Sequence, residues 1–242
     1  MAVTAQAHRS GLGRNLTHGL VDTLGRAIVV GEYDATAFPT EAELAKQHKV
    51  SRSVTREAVK MLTAKGLLSA RPRQGTIVRL REYWNLFDTD ILRWLLERRF
   101  SLDLLVQFNQ LRIALEPEAA ALAATHATEE ERAAIRAGLD RMRDAERGED
   151  ELLAADIAFH VAILEGSGNP FYRQLSDMVE TALRTSIRFT NRIDGRTASV
   201  AAHAAVCEAI LAGDASGARL AMQRIIADVF AIIDGAKPPA PE

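Results

Sequence analysis

The sequence predicts a mainly α-helical protein in two parts, and three observations carry that expectation. Aromatics make up only 5% of 242 residues while the hydrophobic fraction is 48% and rich in Ala and Leu, a composition that favours helix over β-sandwich. Charge is divided: residues 1–81 hold 13 Lys and Arg against 6 Asp and Glu, net +7, and the remainder holds 17 against 26, net −9. From residue 88 onward, apolar residues recur at helical spacing between short breaks. The length accommodates one large domain or two modest ones, and this hydrophobic and charged content excludes a disordered chain. No run approaches the roughly 18 apolar residues of a membrane span. Residues 1–14 lack the apolar core of a secretory signal, so a cytoplasmic location and no membrane association are expected. The single cysteine, Cys207, excludes an internal disulfide framework and a cysteine-built zinc finger.

The basic third reads as a series of short elements. Leu20, Leu24, Ala27 and Ile28 set a helical period that Gly31 closes. Thr40 and Glu43 have capping-box spacing ahead of a helix over 41–47. His48-Lys49-Val50-Ser51 is a turn whose Ser51 caps a helix over 52–65. That helix places Val54, Ala58, Val59 and Leu62 inward, with Arg52, Ser53, Arg56 and Lys60 on the other side. Gly66 ends it. Residues 67–70 and 76–78 then form a hairpin around Arg71-Pro72-Arg73-Gln74-Gly75.

Two short helices, a tight turn and a basic hairpin describe a winged helix-turn-helix, here over residues 11–80. Its second helix fits the DNA major groove, where arginines reach guanine edges or phosphates, and the wing's Arg71 and Arg73 reach backbone or minor groove. The competing reading is a solvated basic helix in an ordinary helical domain.

The runs Phe38-Pro39-Thr40-Glu41-Ala42-Glu43-Leu44-Ala45, Val50 to Ala58, Gly66-Leu67-Leu68 and Arg73-Gln74-Gly75-Thr76 closely resemble the GntR family of bacterial regulators. The resemblance implies that Ser51, Arg52, Ser53 and Arg56 contact DNA and that Gly75 forms the wing tip. Several relatives carry Arg where this chain has Ala42, which removes one phosphate contact.

After a linker over 81–87, residues 88–235 read as an all-helical bundle with helices over 88–99, 102–125, 129–147, 150–166, 170–192, 196–212 and 215–233. Pro117 predicts a kink or split in the second. Gly213 and Asp214 read as a helix stop and an N-cap, and residues 237–241 as a frayed tail. Asp156 and His160 lie four apart on one apolar helix, a spacing that grips a divalent cation, and His203 is the natural third ligand. The other reading is an Asp–His pair satisfied internally, with His203 at the surface. Arg112 suits a bidentate carboxylate but also pairs with Glu116 at i+4.

Leu111 to Pro117, Ala121 to Ala124, Asp156 and His160, Asn169-Pro170, and His203 ahead of Ile210 to Asp214 are similar to the FCD effector-binding domain of FadR-type GntR regulators. That resemblance implies a divalent metal, zinc or similar, held by Asp156, His160 and His203 at the floor of an effector cavity, with Ile225 standing where a last histidine is expected. It implies Arg112 as the anchor of an effector carboxylate; Asn169, Arg184 and Ser186 are further effector-binding candidates, with Arg188 beside them. The stretch Trp84 to Trp94 and the missing histidine are similar to galactonate-responsive repressors, which implies a sugar-acid effector. The tryptophans otherwise serve to staple the two parts together. The expected function is therefore a homodimeric repressor of sugar-acid catabolic genes, released from a double-stranded operator by a carboxylate effector. The alternative is a metal-dependent hydrolytic enzyme using Asp156, His160 and His203 to activate water. No general base or nucleophile accompanies that trio in the sequence, and an enzyme leaves the basic wing unexplained.

Overall fold

The computed structural model describes residues 2–71, 73, 75–98, 102–194 and 199–235, and side chains from residue 15 onward except at 98 and 188–194. Pro72, Gln74 and the 237–241 tail lie outside the described residues, as does the Arg188 side chain. The chain divides into two compact units, residues 1–100 and 101–242.

The first unit contains α1 (Ala2–Val30), α2 (Glu41–Gln47), α3 (Arg52–Ala64), strands β1 (Leu68–Arg71) and β2 (Gly75–Val78), a 3-10 turn over Arg81–Tyr83, and α4 (Thr89–Arg98). Its core joins Leu20, Leu24 and Ile28 of α1 to Leu44, Ala58, Leu62 and Leu67, all buried. The strands pair antiparallel, Leu68 opposite Val78 through Arg71 opposite Gly75. Here the observed boundary departs from the predicted one at residue 88. Helix α4, assigned by periodicity to the bundle, packs on α1. Trp94 is fully buried, its indole Nε1 donates to Asp22 Oδ1 at 2.8 Å, and its ring lies so close to Gly25 that no Cβ fits there. Lys65 Nζ holds both Asp88 and Asp90 at 2.8 Å. The apolar stripe of α4 finds its complement on α1, and helical period alone does not say which surface a stripe will meet.

The second unit is built of α5 (Leu102–His126), α6 (Glu129–Glu146), α7 (Leu152–Glu165), α8 (Pro170–Gln174), α9 (Ser176–Asp194), α10 (Val200–Leu211) and α11 (Ala215–Gly235). Helix α5 runs through Pro117 without splitting. Its flanks hold it: Ala119, Ala120, Ala121, Ala123 and Ala124 are buried and α5 packs along α11, which outweighs the lost backbone donor. The helix predicted over 170–192 is two, because the Leu175 backbone closes α8 on the Arg173 and Tyr172 carbonyls. Asp214 accepts from Gly217 N at 2.9 Å and Gly213 adopts φ 73°, the expected stop and cap. Among the described residues, no helix is long and apolar enough to cross a membrane.

Helices α6 and α7 meet at Gly138, where an added Cβ would sit 2.9 Å from Phe159 Cα. Gly138→Val is expected to lower the unfolding free energy by about 1–3 kcal/mol through overpacking, read as a lower urea midpoint. Helix propensity alone predicts a small gain over glycine, so the sign of the shift decides which effect governs.

Candidate DNA-reading surface and buried Asp–His cluster

In the first unit, local capping sets the reading helix. Thr40 Oγ1 accepts from Glu43 N at 3.3 Å and Glu43 Oε2 accepts from Thr40 N at 2.8 Å, closing the capping box of α2. The turn bends through Lys49, whose φ is 54°. Ser51 Oγ accepts from Val54 N at 3.3 Å and lies 2.9 Å from Ser53 Oγ, so Ser51 starts α3 as well as lying at its exposed end. The buried face of α3 is Thr55, Ala58, Val59 and Leu62. Val54, predicted inward, is only half-buried; Thr55 takes its place because its hydroxyl donates to the Ser51 carbonyl at 3.2 Å. Arg52, Ser53, Arg56 and Lys60 are exposed together, and Arg56 Nε lies 3.4 Å from Glu41 Oε2. Arg71, Arg73 and Gly75 are exposed on the hairpin; Arg73 and Gly75 turn through φ 67° and 76°, and Ala42 presents no charge on α2. A row of unburied cations on a rigid helix beside a basic hairpin suits a polyanion with a groove.

In the second unit, α7 and α10 bring together Asp156, His160 and His203, all buried, with one ligand atom from each within 4.8 Å of the others. Both imidazole Nε2 atoms face Asp156 Oδ1, His160 at 3.3 Å and His203 at 3.2 Å. The opposite ring nitrogens face other acceptors: His203 Nδ1 lies 2.8 Å from the Ser199 carbonyl and His160 Nδ1 2.7 Å from Glu116 Oε2. At His203 the Ser199 carbonyl draws the ring proton to Nδ1 and leaves the Nε2 lone pair pointing at Asp156. Asp156 Oδ1, His160 Nδ1 and His203 Nε2 make no well-directed hydrogen bond. Buried ligand atoms that converge without a well-directed bond suit a cation between them. Separations of 3.2 and 3.3 Å match the roughly 3.3 Å edge of a tetrahedron with zinc–nitrogen bonds of about 2.0–2.1 Å. Asp156, His160 and His203 thus fit a divalent ion, whereas Ile225 on α11 is a buried hydrocarbon that supplies no donor.

Charge in the cluster is balanced by α5. Burial by itself would raise the Glu116 carboxyl, but Arg112 and His160 outweigh it and hold the group at about 2. Burial likewise opposes charge on His160, yet Glu116 and Asp156 push its imidazole up to about 9. Asp156, against the same burial, is held well below the usual carboxylate range by His160 and His203. Arg112 grips Glu116 with Nε at 2.6 Å and Nη2 at 3.2 Å, and Nη1 donates to Asn109 Oδ1 at 3.2 Å. The i+4 partnership read from the sequence is therefore present, and three of the five guanidinium N–H groups are occupied. The approach of Glu116 to His160 and the part played by Asn109 escape sequence reading. Their signal is the 3-then-4 spacing of Asn109, Arg112 and Glu116, which sets three polar residues on one face of α5.

The remaining effector candidates do not gather at this cluster as one set. Asn169 Oδ1 accepts from Phe171 N at 2.9 Å and caps α8. Arg184 pairs with Glu180 at 2.9 Å and lines an outward groove on α6, α7 and α9. Ser186 is buried on α9.

A winged helix-turn-helix head with an exposed basic helix, joined to a helical domain with a buried Asp–His cluster, describes a transcription regulator, and comparison with known proteins agrees. Residues 16–78 match the bacterial regulatory proteins of the gntR family and residues 107–228 match the FCD domain. The chain is 34% identical over 216 residues to the uncharacterized HTH-type transcriptional regulator YieP of Escherichia coli, covering 88% of this chain and 93% of that one. It is 33% identical to the galactonate operon transcriptional repressor of the same organism, covering 88% and 94%. The solved structure titled as Lar controlling the Listeria monocytogenes agr system has 19% identity, covers 91% of this chain and 97% of that one, and superposes with a TM-score of 0.56, a likeness of fold. The chain belongs to the GntR family of transcriptional regulators and carries an FCD domain. Its family and relatives are regulators of transcription, not enzymes, so the hydrolytic reading of Asp156, His160 and His203 is set aside.

Proposed function

We propose that this regulator is a homodimeric repressor released from its operator by a small carboxylate of the sugar-acid class, bound above a divalent cation held by Asp156, His160 and His203. The observation that carries the reading is the buried confrontation of Asp156 Oδ1 with the Nε2 atoms of His160 and His203. When bound, the cation supplies a Lewis-acidic anchor for effector oxygens. The chain's own residues prepare that place: Glu116 and the Ser199 carbonyl orient the two rings, and Arg112 neutralises Glu116. Support for the sugar-acid class comes from the 33% identical galactonate operon repressor and from the Trp84 to Trp94 stretch. Two copies would set two α3 helices in successive major grooves of a near-palindromic operator, with Ser51, Arg52, Ser53, Arg56, Arg71, Arg73 and Gly75 at the DNA. The effector releases DNA only by preferring the geometry that does not fit the operator.

The test is binding to the protein's own upstream DNA, titrated with a panel of sugar acids, using zinc-loaded and chelator-treated protein. At least one sugar acid is expected to weaken operator binding tenfold or more in the loaded protein and less in the stripped one. His160→Ala is expected to lower bound zinc to a small fraction of stoichiometric. Stoichiometric zinc in that variant would place the ion elsewhere. If no sugar acid acts on zinc-loaded, operator-bound protein, the effector class is wrong.

A further inference from the structure

Helix α7 is apolar on nearly every side: between Leu152 and Leu164 its only ionisable residues are Asp156 and His160, and both are buried. Its opposite side is not covered by the described residues of the helical unit. There Ala154, Ala158, Val161 and Ala162 are half-exposed, and Ala134 and Ala137 of α6 beside them are exposed. These residues floor a shallow groove of about 540 Å³. A helix without a polar face belongs in an interior or against a partner.

Charge along the groove is sorted. Arg141, tied to Asp150 at 2.8 Å, stands where α7 begins, and Glu165 stands where it ends. The Arg173 side chain donates to the Glu165 carbonyl at 3.2 Å, so α8 leads into α9 from that same end. Helix α9, packed on α7, then places Glu180 one turn nearer the acidic end and Arg184 one turn nearer the basic end. An antiparallel two-fold pairing of this face with itself lays each acidic end on a basic end. It also buries alanines whose small side chains allow close helix approach.

We infer that the α6–α7–α9 groove is where a second copy of this chain docks, α7 against α7 about a two-fold axis. The inference rests on the homodimer reading and adds the face and its register. A patch with both signs sorted to opposite ends is self-complementary, which a surface built for a uniformly charged partner is not.

Sedimentation equilibrium of the full chain tests it. Ala158→Arg, at a half-exposed position, is expected to raise the dimer dissociation constant at least tenfold, with helical content unchanged by circular dichroism. Glu180→Arg and Arg184→Glu singly are expected to weaken the dimer severalfold, and the swap of both to restore it, since each copy regains an opposite charge across the axis. Unchanged dimerisation in Ala158→Arg and in both single charge variants would overturn this face while leaving the homodimer intact. Weakened single variants with no recovery in the swap would overturn the register. A wild-type chain monomeric at all concentrations would instead overturn the homodimer itself.

Discussion

Arg112→Ala is expected to destabilise the helical unit by about 3–5 kcal/mol, because it strands a charged carboxylate in the interior. Glu116 is buried, and Arg112 supplies its two shortest guanidinium contacts, 2.6 and 3.2 Å. Removing Arg112 takes a positive charge away from two buried carboxylates, Glu116 and Asp156, and leaves Glu116 without its guanidinium partner. The double variant Arg112→Met/Glu116→Gln removes both charges, keeps most of the volume and leaves an amide oxygen facing His160. It is expected to recover most of the loss, and thermal melts of wild type, single and double variants measure this. A single variant as stable as wild type would show that Glu116 is not held charged.

The folded double variant also separates two roles for Arg112. If its two remaining N–H groups anchor the effector carboxylate, the double variant binds operator normally but needs at least tenfold more effector for release, since a bond to a charged group is worth about 1.5–3 kcal/mol. If Arg112 only neutralises Glu116, effector response is retained. Permanent repression in a cell distinguishes the first outcome from the second.

Arg52→Ala and Arg56→Ala are expected each to weaken operator binding by about 1–3 kcal/mol per lost base-edge contact. Neither should unfold the protein, since both side chains are exposed and opposite the Ala58, Val59 and Leu62 face. The Arg56–Glu41 pair, at 3.4 Å between exposed groups, adds little stability. Arg71→Ala and Arg73→Ala should act differently. Loss of a phosphate contact weakens all sequences alike and lowers the salt slope by about one. Full operator affinity in both α3 variants would remove these arginines from the reading surface.

Much of this protein is written in local chemistry that acts within a turn or two of chain. Thr40 with Glu43, Ser51, and Asp214 with Gly213 start and stop helices through bonds to their own backbone, so the elements they bound appear where the sequence predicts them. Asp156 and His160, four residues apart on one helix, meet for the same reason. What local spacing leaves open, packing decides. Pro117 marks a break that α5 does not show, because neighbours beyond the helix hold its buried alanines in line. Trp94 falls in a helix that periodicity assigns to the bundle but lies on Gly25, since an indole settles where a missing side chain leaves room, at a place 69 residues earlier in the chain. Glu116 reads only as an i+4 partner for Arg112. Only when α5 and α7 close on each other does its carboxylate reach His160, and a pair of helical spacings becomes one buried, charge-balanced cluster. Backbone bonds and caps are short-range and legible one segment at a time. Which apolar stripe meets which, and which charges are buried together, depends on all segments at once.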